Sequence, residues 1–247
     1  MKTVLITGCS SGYGLETARH FLARGWRVVA TMRSPREELL PRSDRLQILA
    51  LDVTKPESIT EAVEASGPVD VLVNNAGIGG FGAFEAMPMH LAREIFETNT
   101  FGVMAMTQAV LPQMRTRQSG MIVNVTSSAT LTPMPLVAVY TASKMAIEGF
   151  TASLAIELAT FKVQVKLVEP GYGPTTRFTS NGGARVEGMI TEPYAPLAQS
   201  IFAALGQTNS FTVESDVADA VYRAATDTST TLRFPAGADA VALAQRA

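Results

Sequence analysis

The sequence predicts an α/β fold with a doubly wound parallel sheet and helices on both of its faces. Short segments that are almost wholly apolar, such as Val4–Ile6 and Met121–Val125, alternate with helical patterns along the chain. A strand that is apolar at every position is buried on both faces, which is typical of a parallel sheet covered by helices. A glycine-rich turn also follows the first segment directly. Ligands of such sheets bind at the carboxyl ends of the strands.

Composition narrows the class of protein. The chain has 247 residues, 47% of them hydrophobic and 17% charged, which predicts one domain over residues 1–247. A net charge of −2 gives no sign of nucleic-acid binding, and the single cysteine excludes an intramolecular disulfide. No apolar run approaches the ~18 residues of a membrane span, and we expect no signal peptide before the first strand. We therefore expect a cytoplasmic protein with no integral membrane segment.

The expected elements follow in order along the chain. After a strand at residues 2–7, the first helix has one apolar side and ends near Gly25. Thr54 and Glu57 form a capping-box pattern, which predicts the start of a helix after Asp52. Further buried strands are expected at Trp26–Thr31, Leu46–Leu51, Val69–Val73, Met121–Val125 and Val163–Val168.

The turn at residues 7–14, Thr-Gly-Cys-Ser-Ser-Gly-Tyr-Gly, opens the first helix. Glycines let the backbone turn tightly and approach a pyrophosphate, and the amino end of the helix supplies N–H groups. The spacing differs from the common Gly-x-Gly-x-x-Gly, and a purely structural turn is the alternative. Cys9 is expected to be packed rather than reactive. The residues expected to bind a dinucleotide here are Gly8, Ser10, Ser11, Gly12, Tyr13 and Gly14.

The end of the second strand indicates which dinucleotide binds. A carboxylate about 20 residues after the glycines would bind a ribose 2′-hydroxyl. This chain has Met32 at that position, and Arg33 follows. A guanidinium suits a 2′-phosphate, and a missing carboxylate removes the repulsion against it. The sequence therefore favours NADP(H) over NAD(H). The alternative is that Arg33 is only a solvated loop residue, like Arg36.

The residues with the most chemical information lie between the fifth strand and the helix after it. Tyr140 and Lys144 are four residues apart, hence on one face of a helix, and Ser127 precedes Tyr140 by thirteen residues. A lysine ammonium beside a tyrosine favours the phenolate and lowers the phenol pKa. A serine hydroxyl can donate to a substrate oxygen. These groups can move a proton on or off an alcohol, although a lone Tyr-x-x-x-Lys is also common in ordinary amphipathic helices.

Loops at the other strand ends contribute the remaining candidates. Residues 74–77, Asn-Asn-Ala-Gly, are expected to support the cleft, and Asn99 stands in a helical region where asparagine is unfavourable. The loop at residues 170–175 is rich in glycine and proline, which indicates a ligand loop. Residues 174–211 are expected to form a substrate lid, with an ordinary surface excursion as the alternative. No cluster of His, Cys, Asp or Glu has the spacing of metal ligands.

In this order the motifs resemble the short-chain dehydrogenase/reductase family over essentially the whole chain, with a Rossmann-type fold. The resemblance implies that Tyr140 is the acid/base, that Lys144 lowers its pKa and binds the nicotinamide ribose, and that Ser127 holds the substrate oxygen. Asn99 is implied to order a water in a proton relay. The residues implied to contact the cofactor elsewhere are Asp52, Val53, Asn75, Ala76, Gly77, Pro170, Gly171 and Thr175.

The glycine turn, Met32-Arg33 and the segment at residues 232–238 look most like the branch with 17β-hydroxysteroid-type and retinol-type enzymes. Thr130 stands where a glycine often follows the catalytic serine. The implied reaction is hydride transfer between NADP(H) and a ketone, aldehyde or secondary alcohol. The alternatives are a non-catalytic NADP-binding sensor or scaffold and, with less support, an epimerase or dehydratase.

Two further expectations concern partners. The substrate is expected to have an apolar body, and the residues expected to contact it are Met134, Tyr172 and Phe178. The helix that begins near Tyr140 is apolar on nearly every side, so it needs a second burial surface besides the sheet. We therefore expect a homodimer or homotetramer. The alternative is that neighbouring helices of the same chain cover this surface.

Overall fold

A computed structural model describes residues 1–176, 188–208 and 210–246. It contains a seven-stranded parallel sheet with the strand order β3-β2-β1-β4-β5-β6-β7. The order reverses between β1 and β4, as in a doubly wound fold, so the predicted fold class is confirmed. The strands are β1 Thr3–Ile6, β2 Arg27–Met32, β3 Leu46–Ala50, β4 Val71–Asn74, β5 Gly120–Val125, β6 Val163–Pro170 and β7 Arg233–Ala236.

Helices connect the strands and cover both faces of the sheet. A π-helical turn at Glu97–Phe101 joins α3 to α4, and α6 lies within the segment expected to form a lid. None of the helices in the described part of the chain is long and apolar enough to cross a membrane. In the described residues the α-helices are α1 Gly12–Ala23, α2 Pro56–Ser66, α3 Met89–Phe96, α4 Gly102–Arg117, α5 Ala138–Leu158, α6 Ala195–Gln207, α7 Glu214–Thr226 and α8 Ala238–Ala244.

The apolar strands supply two cores, one on each face of the sheet. Val4 and Ile6 pack into the core beneath α1 and α7, whereas Leu5 between them packs into the core beneath α2, α4 and α5. Alternate residues of a strand point to opposite faces, so a strand buried on both sides must be apolar throughout. This is the reason that continuous apolar runs identified β1, β2, β4, β5 and β6. Strand β3 was also predicted to be buried, and this is wrong, because it lies at the edge of the sheet and is only partly covered. Strand β7, which contains Pro235 at the edge of the sheet, has no such run.

The carboxyl ends of β1 and β4 are joined at the point where the strand order reverses. The Thr7 hydroxyl oxygen accepts hydrogen bonds from the backbone N–H groups of Asn75 and Ala76, at 3.0 and 2.9 Å. The Asn75 side chain donates to the carbonyl oxygens of Thr7 and Gly8, at 2.9 and 3.3 Å. These bonds fix the glycine turn against the loop that follows β4, and together they form the floor of a cleft.

The capping box predicted at Thr54 and Glu57 is wrong. Helix α2 begins at Pro56, and Lys55 is its N-cap residue, with no side-chain cap. Proline is favoured in the first helical turn, where its missing N–H costs nothing. The Thr54 hydroxyl instead donates to Asp52 Oδ1 at 2.7 Å, and the Thr54 N–H donates to the same oxygen at 3.0 Å. The pair forms a local turn at the end of β3 rather than a helix cap.

Candidate active site

The glycine turn has a geometry that requires its glycines. Gly8 has φ +76°, and a Cβ on it would lie 2.9 Å from Ala76 Cα. Gly12, the first residue of α1, has φ +53°. Gly14 has a different role from its neighbours, since it is buried and a Cβ on it would lie 2.4 Å from Asn75 Nδ2. The structure therefore places Gly14 behind the wall of the cleft, as a packing glycine.

The cleft at the reversal point has a volume of about 540 Å³. Residues from the ends of β1, β2, β3 and β4 line it, as expected for a ligand site in a doubly wound sheet. Most of the predicted cofactor contacts lie here, namely Gly8, Ser10, Ser11, Gly12, Tyr13, Arg33, Asp52, Val53, Asn75, Ala76 and Gly77. The lining residues that the sequence did not indicate as contacts are Met32, Leu51, Thr54, Ile78, Gly79, Glu94, Thr98 and Thr176.

Two arginines follow β2 and have different surroundings. Arg33 is exposed and lines the cleft. The pKa of Asp52 is lowered mainly by the hydrogen bonds from Thr54, and the charge of Arg33 adds a smaller effect in the same direction. Arg36 is not a purely solvated residue, because its guanidinium donates to the Ser10 carbonyl oxygen at 2.8 Å. Arg36 thereby ties the loop after β2 to the glycine turn. No local sequence pattern marks this contact, because the two residues are 26 positions apart.

Asn99 lies in the π-helical turn and is fully buried. Its Oδ1 accepts from the Ile78 N–H at 2.8 Å, and its Nδ2 donates to the Ile78 carbonyl oxygen at 2.9 Å and the Ser143 hydroxyl at 3.1 Å. The side-chain amide is therefore occupied in joining α5 to the loop after β4. A Cβ on Gly77 would lie 3.3 Å from Asn99 Oδ1 and 3.4 Å from Lys144 Nζ, so Gly77 leaves room beside both groups.

Ser127 and Tyr140 are hydrogen-bonded to each other. The Ser127 oxygen also accepts from the Ala129 N–H at 3.2 Å, which leaves the hydroxyl hydrogen for Tyr140 or a substrate oxygen. Burial raises the pKa of Tyr140 to about 12, and the Ser127 hydrogen bond opposes this shift. Desolvation of the phenol thus dominates in the protein alone, and the lowering of this pKa by Lys144 stays a prediction.

Lys144 lies one turn beyond Tyr140 on α5 and is buried. Its ammonium donates to the Val125 carbonyl oxygen at 2.9 Å. Burial lowers the pKa of Lys144 to about 8, and the Glu148 carboxylate opposes this shift. A buried lysine with this pKa changes its charge close to neutral pH. At pH 7 the site therefore holds a neutral phenol beside an ammonium group that can still stabilise an adjacent negative charge.

The first residues of the loop after β6 contact α8 and do not line the cleft. The Asp239 carboxylate accepts from the Tyr172 N–H at 2.6 Å and from the Thr212 hydroxyl at 2.7 Å. A Cβ on Gly171 would lie 2.1 Å from Asp239 Oδ2, so Gly171 packs against this carboxylate. Neither Gly171 nor the preceding Pro170 lines the cleft. No sequence pattern linked Asp239 to this loop, because the two are 67 positions apart.

The predicted carboxamide contact, Thr175, also lies outside the cleft lining. Its hydroxyl donates to Glu214 Oε2 at 3.0 Å, and the residue is exposed. The neighbouring Thr176 lines the cleft and packs close to Gly12. In this loop Thr176, rather than the predicted Thr175, is therefore the residue that lines the cleft.

An apolar groove lies beside the loops that carry Ser127 and Tyr172. Two of the three predicted substrate contacts, Met134 and Tyr172, line it, and the third, Phe178, lies outside the described residues. The remaining lining residues are Pro135, Ile201, Ala204, Leu205, Thr208, Ser210 and Asp239. Helix α6 forms one wall of this groove, so the described part of the expected lid does lie against predicted substrate contacts.

Cys9 is packed rather than reactive. Burial raises the pKa of Cys9 to about 12, and the thiol packs against the carbonyl oxygen of Ile6 at 3.4 Å. A thiol with this pKa is not a nucleophile at neutral pH. In residues 1–176, 188–208 and 210–246, no three or more His, Cys, Asp or Glu side chains are grouped as metal ligands.

A glycine turn where the strand order of a doubly wound sheet reverses, together with a Ser–Tyr–Lys group, defines the class of dinucleotide-binding oxidoreductases. A family model described as short chain dehydrogenase matches residues 2–185. The chain belongs to this family.

Human retinol dehydrogenase 8 is 38% identical over 239 residues, with 87% of this chain and 76% of that protein covered. Rat estradiol 17-beta-dehydrogenase 1 is 41% identical, with 68% of this chain and 53% of that protein covered.

Solved structures agree with this assignment. A short-chain dehydrogenase from Streptomyces avermitilis superposes with a TM-score of 0.82 at 34% identity, covering 99% of this chain and 91% of that one. A serine dehydrogenase in its closed form with NADP+ superposes with a TM-score of 0.79 at 30% identity, covering 94% of each chain. The resemblance to the family, and to the branch with retinol-type and 17β-hydroxysteroid-type enzymes, is thereby confirmed.

Proposed function

We propose that this protein transfers a hydride between NADP(H) and the carbon of a ketone, aldehyde or secondary alcohol with an apolar body. The observation that carries the proposal is the hydrogen-bonded pair of Ser127 and Tyr140, with the ammonium of Lys144 one helical turn away. Serine dehydrogenase, a relative of known structure, was solved with NADP+. Its bound cofactor supports the assignment of the cleft in this chain to a dinucleotide.

The residues of the cleft fit a nicotinamide dinucleotide. Gly8 and Gly12 leave the turn without side chains, and the Ser11 hydroxyl makes no cap bond to α1. The Ser11 side chain therefore leaves the first N–H groups of α1 available as donors for a pyrophosphate. Asp52 and Val53 line the region expected for the adenine. When bound, the nicotinamide supplies the hydride chemistry, and the protein orients it.

Each reacting group of the protein then has one task. The Ser127 hydroxyl donates to the substrate oxygen and holds it beside the phenol. Tyr140 is protonated at neutral pH because burial raises its pKa to about 12, so it serves as the proton donor to a carbonyl oxygen in the reductive direction. Lys144 stabilises the phenolate that remains, and it binds the nicotinamide ribose. Asn99 holds α5 and the loop after β4 in position, and it would thereby help to order a water molecule in a proton relay.

Arg33 supports the preference for NADP(H). Its guanidinium is exposed on the cleft, and a 2′-phosphate is a good partner for a guanidinium. Met32 beside it is apolar and 2% exposed, so it offers no oxygen to a ribose 2′-hydroxyl. Relatives of known structure have been solved with NADP+ and with NADH, so the cofactor preference of this chain needs its own measurement.

The apolar groove supports a substrate with an apolar body. Met134 is 39% exposed beside Tyr172, and Ile201 and Leu205 of α6 form the opposite wall. An apolar wall of this kind favours bulky neutral ligands over small doubly charged ones. The relatives named retinol dehydrogenase 8 and estradiol 17-beta-dehydrogenase 1 have names that refer to such compounds.

We also propose a homodimer or homotetramer that uses the outer face of α5. Ile147, Leu154 and Leu158 of this helix are buried, whereas Met145 is 50% exposed and Ile156 is 80% exposed. Neighbouring elements in the described part of the chain therefore do not cover this face. An exposed apolar face on a helix is typical of a contact with a symmetry-related copy.

The test is a spectroscopic assay of NADPH and NADH consumption with a panel of carbonyl compounds. We expect turnover with NADPH and a bulky apolar ketone or aldehyde, and slower turnover with NADH. Binding of NADPH without turnover on any compound would favour the sensor or scaffold alternative. Conversion of a substrate without net consumption of cofactor would favour an epimerase or dehydratase.

A further inference from the structure

Four side chains form a polar network behind the reacting groups, away from the cleft lining. They come from four elements: Thr130 from the short 3₁₀ turn after β5, Glu148 from α5, Glu169 from β6 and Arg233 from β7. Glu148 and Glu169 are 6% and 0% exposed. The network thus joins the elements that carry the serine, the tyrosine with the lysine, and the loop after β6.

Its contacts run in a chain from Arg233 to the catalytic serine. Arg233 Nη1 lies 2.6 Å from Glu148 Oε2 and is also paired with Glu169 Oε1. Glu148 Oε1 lies 3.2 Å from Thr130 Oγ1. The Thr130 hydroxyl donates to the Ser127 carbonyl oxygen at 2.6 Å, and the Thr130 N–H donates to the same oxygen at 3.0 Å.

The spacing on α5 connects this network to the other two reacting groups. Tyr140, Lys144 and Glu148 follow one another at intervals of four residues, so their side chains lie along one face of the helix. A carboxylate anchored at the third position therefore fixes the rotation of the helix that presents the phenol and the ammonium. The single hydroxyl hydrogen of Thr130 is within reach of both the Ser127 carbonyl oxygen and this carboxylate, so Thr130 links the backbone of Ser127 to Glu148. The same carboxylate, Glu148, therefore positions Ser127 as well as Tyr140 and Lys144.

Burial of the charges in this network costs free energy. Two buried carboxylates share one guanidinium that is itself 47% exposed. Burial and the charge of Glu148 raise the pKa of Glu169, and Arg233 opposes this shift. Buried ion pairs of this kind contribute little to stability compared with apolar residues of the same size. A role in positioning accounts for their presence where a role in stability does not.

We propose that Thr130 and Glu148 are positioning residues, which hold the Ser127 hydroxyl in register with the Tyr140 phenol, and that Arg233 fixes Glu148 from β7. The inference rests on the proposed function, because it concerns the same reaction. Displacements of about 1 Å at reacting atoms are enough to lower a rate by orders of magnitude. Loss of the Thr130 hydroxyl should therefore reduce kcat without a comparable change in KM for NADPH.

The experiment compares Thr130→Val, Thr130→Ser and Glu148→Gln with the parent, with NADPH and the carbonyl compound that the parent reduces fastest. Valine keeps the size of threonine and removes the hydroxyl, whereas serine keeps the hydroxyl. We expect kcat to fall about tenfold in Thr130→Val, which corresponds to about 1.4 kcal/mol. Thr130→Ser should restore the parent rate. The double variant Thr130→Val with Glu148→Gln tests whether the two residues act in one network. If they do, its kcat should fall by less than the product of the two single decreases.

Asp227→Asn is the matched control. Asp227 pairs at 2.9 Å with Lys166, a buried residue on the same strand β6 but distant from Ser127 along the sheet. This substitution removes an ion pair that has one buried and one partly exposed partner, and it should leave kcat and KM unchanged. A fall in kcat in Asp227→Asn as large as that in Thr130→Val would overturn the proposal, because a general loss of stability would then explain both.

Amide hydrogen exchange gives a readout that does not depend on turnover. The N–H groups of Ala129, Thr130 and Leu131 donate within the Ser127 turn, and they should exchange faster in Thr130→Val but not in Thr130→Ser. Equal exchange, or equal kcat, in the valine and serine variants would overturn the proposal. If the parent reduces no carbonyl compound, the proposed function fails, and the exchange comparison alone decides whether the network holds this turn.

Discussion

The ammonium nitrogen of Lys144 donates a hydrogen bond of 2.9 Å to the carbonyl oxygen of Val125, the last residue of β5. This bond fixes the lysine between the sheet and α5, where it is 4% exposed. Burial there lowers the pKa of Lys144 to about 8. The charge of a group in the proposed site is therefore set by how the helix packs on the sheet.

The first prediction concerns pH. The folded-state pKa of Lys144 is below its unfolded value, so the ammonium loses its proton as pH rises through about 8. We expect kcat/KM for NADPH to fall above about pH 8 with the slope of a single proton, because this parameter reports groups of the free enzyme. The measurement is a pH–rate profile from neutral to alkaline pH. A flat profile across this range would contradict the assignment of a charged Lys144 to the reaction.

The same shift has a consequence for stability. Between about pH 8 and the unfolded pKa of Lys144, the unfolded chain binds more protons than the folded one. The free energy of unfolding should therefore receive a contribution from Lys144 that rises with pH in this window. Lys144→Met should remove that contribution, which urea unfolding at several pH values would detect. If the free energy of unfolding of Lys144→Met depends on pH as that of the parent does, the predicted contribution from Lys144 is wrong.

The second prediction concerns the cofactor preference. Arg33→Ala should lower kcat/KM for NADPH by about tenfold or more, the cost of a charge-assisted pair, and should change that for NADH little. Arg42→Ala, which removes an exposed arginine outside the cleft lining, is the control for net charge. An exchange of Met32 for Asp should add to the switch toward NAD(H), at a cost in stability because Met32 is buried. An unchanged ratio of the two kcat/KM values would place 2′-phosphate recognition elsewhere, with Ser10 as the next candidate.

The third prediction concerns the loop after β6. Asp239→Ala removes the acceptor of the Tyr172 N–H and of the Thr212 hydroxyl, so the free energy of unfolding should fall by about 2 kcal/mol. KM for the cofactor should rise as well, because Thr176 of this loop lines the cleft. Asp219→Ala, which breaks an exposed pair with Arg223, should change stability by less than about 0.5 kcal/mol. Equal losses in the two variants would contradict the anchoring role of Asp239.

The fourth prediction concerns the oligomer. Ile156→Glu places a charge on the exposed face of α5 and should convert the proposed oligomer into a monomer of 26.3 kDa. Ser153→Glu adds the same charge at a neighbouring exposed position that is already polar, and it should have a weaker effect. Light scattering at micromolar concentration distinguishes the species. A parent protein that is already a stable monomer would rule out the oligomer.

The sheet could be predicted from the sequence because each of its inner strands is apolar on both faces. The pattern failed at β7, where Arg233 and Pro235 occupy an edge strand that needs no continuous apolar run. It also failed at α2, since the capping pattern at Thr54 was overridden by Pro56. At β7 the edge position in the assembled sheet decides, whereas at α2 one local signal overrides another, and the sequence alone does not show which one prevails.

The candidate site was predictable in its residues but not in its electrostatics. The spacing of Ser127, Tyr140 and Lys144 indicated their proximity, whereas the direction of the tyrosine pKa depends on burial, which spacing does not report. The partners that organise the site, Arg36 and Asp239, act through hydrogen bonds between distant parts of the chain. Such contacts exist only once the sheet has formed, so no local pattern could have identified them.

The most direct test of the proposed function is the turnover of Tyr140→Phe. This substitution removes the phenol oxygen and its hydrogen bond with Ser127 but keeps the aromatic ring, and Tyr140 is not among the residues that line the cleft. We expect NADPH to bind with unchanged affinity, measured by its fluorescence, while kcat for carbonyl reduction falls by about a hundredfold or more. Turnover within about tenfold of the parent would contradict the assignment of Tyr140 as the proton donor.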